Sequence, residues 1–135
     1  MPFRAHGILR VDLLETLLEI APLLVRGTPR PRPARKTPRV AVVSTTGGGA
    51  AMVVDRLGLL GIEAATPPDS FIEAMAVRDI TLRAAPVIDL TLAATPKKYA
   101  AVLQGLMEAD FCDAVLAVAG SSAQFQPALA VEPIV

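Results

Sequence analysis

The sequence predicts an α/β fold of three layers, α/β/α, with a mostly parallel sheet in flavodoxin-like order. Three observations predict it. Short apolar, β-branched runs recur at residues 40–44, 86–90 and 113–120. Stretches with helical spacing separate these runs, the alternation that builds a parallel sheet covered on both faces. A glycine run, Gly47-Gly48-Gly49, follows the first strand and leads into the first intervening helix.

Each element has its own signal. Residues 1–25 read as a leader and an amphipathic helix, with Leu13, Leu14, Leu17, Leu18, Ala21 and Leu24 at helical spacing. Asp12 suits the cap and Glu15 the capping-box position. Pro22 is expected to kink or end that helix. Its wide apolar stripe must bury against something, a second copy of the chain being one candidate. Residues 26–39 hold four prolines, six basic residues and no acid, and read as an extended linker. The incomplete flavodoxin-like domain spans residues 40–135. The strand at 40–44 is apolar on both faces, as a central parallel strand should be. A helix over 49–60 is expected to end at Gly61. A short strand over 62–65 and a turn follow, and then a helix capped by Asp69 or Ser70 and running to about Arg78. After the strand at 86–90, Thr95 caps a helix with Pro96 at its first position. Tyr99, Val102, Leu103, Leu106 and Met107 form that helix's apolar face. The strand at 113–120 leads to a loop and the start of another helix. A further helix and strand would complete the sheet, so the chain reads as truncated at its C-terminus.

Composition narrows the function classes. The 135 residues suffice for one domain, and 53% are hydrophobic but only 4% aromatic, so the core must be aliphatic. Net charge is zero, which gives no footprint for a nucleic acid. One cysteine, Cys112, allows no internal disulfide, and with one histidine, His6, no zinc cluster. This suits a reducing, cytoplasmic setting. Asp12 and Glu15 interrupt any signal-peptide core, and no apolar run approaches the ~18 residues of a membrane span.

In open α/β sheets, ligands bind beyond the carboxyl ends of the strands. Three features fall there: the loop Thr45, Thr46, Gly47, Gly48, Gly49 and Ala50; the stretch Asp89-Leu90-Thr91; and Gly120, Ser121 and Ser122. Glycines let a backbone approach an anion, and helix amides then point at it. No GxxxxGK[ST] or GxGxxG pattern is present, and no Lys or Arg follows the glycines before Arg56. Two readings stand: a tight turn that needs glycines for packing, or an anion site without its own cation. Asp89 either orients a loop or lines the site. Ser121 and Ser122 either cap the next helix or donate to an anion. His6 reads as a surface or interface residue and Cys112 as a packed thiol. No catalytic triad, Cys-His pair, paired carboxylates or metal-ligand set is visible, so no catalytic residue is assigned.

Three segments, in order, resemble the nucleoside-diphosphate-forming acyl-CoA synthetases, the superfamily of succinyl-CoA synthetase and ADP-forming acetyl-CoA synthetase. They are "GILRVDLLETLLEIAPLL", "RVAVVSTTGGGAAMVVDRLGLLGIE" and "VIDLTLAATPKKYAAVLQGLMEADFCDAVLAVAG". Together they cover most of the chain. The resemblance implies the second of two flavodoxin-like ligase domains. Such enzymes convert acyl-CoA, ADP and phosphate into acid, CoA and ATP through an acyl phosphate and a phosphohistidine. The parent enzyme would use CoA, ADP or ATP and Mg. Its other parts, the CoA-binding, phosphohistidine-bearing and ATP-grasp domains, would be this chain's partners. The glycine loop would supply one of two helix ends that face the phosphohistidine.

The chain departs from that pattern. The family's "SHTGA"-type histidine motif is absent, and His6 does not occupy its place. The "TNAGGPG"-type loop is here "STTGGGA", with Thr45 for Asn, Gly49 for Pro and Ala50 for Gly. The isolated chain is therefore expected to be inactive and to bind no cofactor alone. A second reading is a non-catalytic regulatory module, of the kind that some multidomain acyltransferases carry. A third, an independent small-anion or nucleotide-binding protein, is weakened by the scarcity of aromatics.

Overall fold

The computed structural model describes residues 37–90, 95–120 and 127–134, with isolated positions 6, 16, 20–22, 25, 123 and 125. The chain divides into two compact units, Met1–Pro33 and Ala34–Val135. In the first, Thr16, Ile20, Ala21, Pro22 and Val25 are helical, all within the segment read as a leader and an amphipathic helix. Val25 is still helical beyond Pro22.

The second unit is an α/β domain with a parallel sheet. Strand β1 spans Arg39–Ser44 and is followed by helix α1, Gly47–Leu59. Strand β2 (Glu63–Ala64), helix α2 (Asp69–Ala76) and strand β3 (Val87–Asp89) come next. Helix α3 (Pro96–Glu108), strand β4 (Ala114–Val118) and a short helix α4 (Pro127–Val131) complete the series. β1 pairs in parallel with β2, β3 and β4.

β4 runs beside β1 from Val40↔Ala114 to Ser44↔Val118 and fills one of its two edges. β2 and β3 therefore share the other. The carbonyls show the same division, because alternate residues of a strand present their hydrogen-bonding groups to opposite edges. Pro38, Val40 and Ser44 accept from Glu63, Ala65 and Leu90, whereas Arg39 accepts from Asp113. β2 serves the start of β1 and β3 its end. This places β1 in the middle of the described sheet, as a flavodoxin-like order requires.

Alternation along β1 also builds the layers. Ala41 and Val43 enter a cluster with Phe71 and Met75 of α2 and Tyr99, Val102 and Leu106 of α3. Val42 and Ser44 point to the opposite face, where α1 packs on β1 with Ala50 and Leu57 buried. The core is mainly aliphatic, with Phe71 and Phe111 meeting edge to face at 5.3 Å.

Helix ends explain most boundaries. Gly61, at φ +69°, ends α1 in the left-handed region that glycine alone enters freely. Ile62 N–H bonds Leu57 O and Gly61 N–H bonds Gly58 O, the paired bonds of a Schellman motif. Thr95 caps α3 as expected, its Oγ1 accepting from Lys98 N–H at 3.2 Å with Pro96 at the first position. Two helix starts differ from the sequence expectation. α2 begins with Pro68 at the cap position, and Asp69 is its first helical residue. The extended backbone that proline favours starts that helix, and the Asp69 carboxylate then sits at the electropositive end. α1 begins at Gly47, two residues before the expected start.

Candidate functional site at the amino end of α1

The site begins with a serine. Ser44, the last residue of β1, is fully buried. Its hydroxyl accepts from Thr46 N–H at 3.0 Å and donates to Thr46 O at 2.6 Å. Val118 O lies at 3.4 Å from the same hydroxyl. Thr45 N–H donates to Val118 O at 3.1 Å and carries the β1–β4 ladder one residue past the strand. The turn between β1 and α1 is thus only Thr45 and Thr46, fixed from inside by one side chain. The supposed loop 45–50 is mostly helix: Gly47, Gly48, Gly49 and Ala50 form its first turn.

Thr46 is the cap residue, with extended backbone (φ −147°, ψ 123°). Its carbonyl accepts the first helical bond, from Ala50 N–H at 3.3 Å. Its side chain makes no capping bond; it packs against two glycines. A Cβ on Gly49 would lie 3.0 Å from Thr46 Cγ2 and 3.2 Å from Val118 Cγ1. A Cβ on Gly120 would lie 2.8 Å from Thr46 Cβ. These two glycines answer the packing reading.

Gly47 and Gly48 do not. A Cβ on either would have nothing within 4 Å. Neither has a positive φ, which among the described glycines Gly61 alone has. Both lie in a helix, where glycine costs about 1 kcal/mol relative to alanine. The amides of Gly47, Gly48 and Gly49 precede the first intrahelical bond, so they have no partner within the helix. The first turn contains no acidic residue to offset its positive end.

Asp89 pairs in register with Ser44, and Leu90 N–H donates to Ser44 O at 2.9 Å. Asp89 and the turn therefore share the carboxyl edge of the sheet, and Gly120 joins them two residues past β4. Ser121, Ser122 and Thr91 lie outside the described residues. His6 is exposed. Cys112 is buried, with Sγ 3.9 Å from Leu106 O, a packed thiol. Among the described residues, no group of three or more His, Cys, Asp or Glu side chains gathers as metal ligands would. Among them, too, no helix is long and apolar enough to cross a membrane. Sequence reasoning missed Ser44; the available signal was a hydroxyl residue ending a buried strand two positions before a helix cap.

No protein-family model matches the chain, and no curated protein matches it. Its structure is similar to the crystal structure of PH0766 from Pyrococcus horikoshii OT3, with a TM-score of 0.64 and 20% sequence identity. The likeness covers 87% of this chain and 26% of that one. At this identity it is a likeness of fold.

Proposed function

We propose that this chain is a ligase-type domain of a nucleoside-diphosphate-forming acyl-CoA synthetase. In this reading the amino end of α1 helps to hold a phosphohistidine supplied by another domain. One observation carries it: Gly47 and Gly48 are bare where neither packing nor backbone conformation asks for glycine. A side chain there would stand between the three free amides and an approaching group. A phosphoryl group on imidazole is anionic and has acceptor oxygens to spare. Backbone amides and the helix dipole can stabilise it without a lysine. The fold and the ordered resemblance of three sequence segments support the same reading. Acyl-CoA, ADP, phosphate and Mg would belong to the assembled enzyme, and the CoA-binding, histidine-bearing and ATP-grasp domains would be its partners.

The test uses the longer protein that carries this segment. Gly47→Ala/Gly48→Ala should leave folding intact, because both positions open onto free space. It should lower ATP formation from acyl-CoA, ADP and phosphate by about tenfold or more, the order expected when amide donors to a developing charge are obstructed. Acid-labile phosphohistidine should fall with it. Undiminished turnover and phosphohistidine in the double variant would refute the assignment of α1. An acetyltransferase region and no upstream histidine motif in that protein would instead support the regulatory module.

A further inference from the structure

The outer face of α1 carries an apolar stripe that the core of the domain does not use. Ala50 and Leu57 bury the inner face of this helix, which packs on β1. Each residue turns an α-helix by about 100°, so Met52 and Leu59 fall within about 20° of each other, on the side opposite Ala50 and Leu57. Met52 is 75% exposed and Leu59 80%. Asp55 and Arg56, both exposed, stand between them along the helix. The same geometry sets Asp55 about 50° to one side of the line from Met52 to Leu59 and Arg56 about 50° to the other. The stripe is thus an apolar seam with an acid on one flank and a base on the other.

We propose that this stripe is the contact surface for a second copy of the chain, with the two α1 helices parallel about a twofold axis. Met52 packs on the partner's Met52, and Leu59 on the partner's Leu59. Asp55 faces the partner's Arg56 on one flank, and Arg56 faces the partner's Asp55 on the other. The two ion pairs close over the apolar seam, as flanking charges do when they set the orientation of paired helices. The charge pattern selects the occupant. A partner surface of one charge sign would suit one flank and repel the other. An antiparallel copy would set Asp55 beside the partner's Asp55, and Arg56 beside the partner's Arg56. A parallel copy satisfies both flanks, as a self-complementary twofold contact requires. The contact is small and belongs to the weak, reversible class. Helix amides point along the axis, so those of Gly47 and Gly48 stay open at the end of the pair. The proposal does not rest on the phosphohistidine reading, and either can fail without the other.

Sedimentation equilibrium and methyl NMR of the 135-residue chain test this. The expected result is reversible dimerisation with a Kd on the order of 0.1 mM, as suits a few exposed aliphatic side chains. In a mixture of isotope-labelled and unlabelled chains, the Met52 methyl group should show intermolecular contacts to the partner's Met52. Asp55→Arg and Arg56→Asp alter exposed positions, so the fold should stay intact. Each variant alone should dimerise at least about tenfold more weakly, because both flanks then oppose like charges. An equimolar mixture of the two variants should recover dimerisation, since every flank again joins opposite charges. Leu59→Gln should weaken dimerisation by a similar factor with the charges untouched. The NMR measurement uses the unaltered chain, so it decides the matter even if a variant fails to fold. A chain that stays monomeric up to about 1 mM, well above the expected Kd, would overturn the proposal. So would a Met52 contact to the partner's Leu59, intermolecular contacts centred on residues 11–25, or a mixture of the charge variants as weak as either alone.

Discussion

Gly120 and Thr46 lie so close that a Cβ on Gly120 would stand 2.8 Å from the Cβ of Thr46. The end of β4 therefore holds the cap residue of α1, and glycine is what lets them meet. Gly120→Ala must push Thr46 aside or bend the chain after β4. The expected cost is about 1–3 kcal/mol, as for other overpacked sites. Urea unfolding of the variant and the parent chain measures it. A loss below about 0.5 kcal/mol, the usual effect of a neutral surface change, would show that the contact gives way without strain.

Gly47 and Gly48 should behave in the opposite way. Each is helical and faces open space. Replacement by alanine restricts the unfolded chain and improves helix propensity, so each variant should gain about 0.5–1 kcal/mol. Thermal unfolding of Gly47→Ala and Gly48→Ala checks this. If either variant were destabilised, the glycine would be serving the fold, and the case for an open approach to the amides would collapse.

This contrast also marks what the sequence reveals. β1, β3 and β4 were legible because they are short, apolar and β-branched, and each is recognised from its own residues. The Thr95 cap and the Gly61 stop were legible for the same reason: both are local chemistry. The start of α1 was not. Glycine is a poor helix former, so a run of three reads as loop, yet the buried Ser44 hydroxyl and the extended Thr46 backbone begin the helix at Gly47. The division of three neighbouring glycines into one packed and two open was equally hidden. It depends on the Thr46 side chain and on Val118, which lies on a strand far along the chain. The sharing of one β1 edge by β2 and β3 likewise depends on pairings that no single segment encodes.

Ser44 offers a direct test of how the turn is held. Its hydroxyl satisfies both the N–H and the carbonyl of Thr46, and the residue has no exposure to water. Ser44→Ala leaves that amide without its partner at little change in volume. The expected loss is about 1–3 kcal/mol, the cost of stranding a buried polar group. Amide hydrogen exchange should accelerate at Thr46 more than in α3, which is capped independently by Thr95. Equal acceleration throughout the domain would mean that Ser44 supports the fold generally and does not position the turn.

Tyr99 links the core to pH. It is the sole tyrosine of the chain, so its ionisation can be followed without interference. Its ring is buried in the cluster shared by α2, α3 and the sheet, and its hydroxyl has no hydrogen-bond partner. Burial disfavours the phenolate and raises the pKa above the ordinary value of 10.0. In the unfolded chain the phenol titrates at the ordinary value. Below that pH both states are protonated, and Tyr99 adds no pH dependence. Above it the unfolded chain loses its proton first, so stability falls as pH rises through the interval between the two pKa values. Absorbance of the phenolate should therefore appear together with the loss of far-ultraviolet circular dichroism. Tyr99→Phe removes both the unpaired hydroxyl and the titration. It should raise stability at neutral pH by about 1 kcal/mol and remove this part of the alkaline decline. Phenolate formation near the ordinary pKa, with the fold intact, would show that the hydroxyl reaches water and would end the argument.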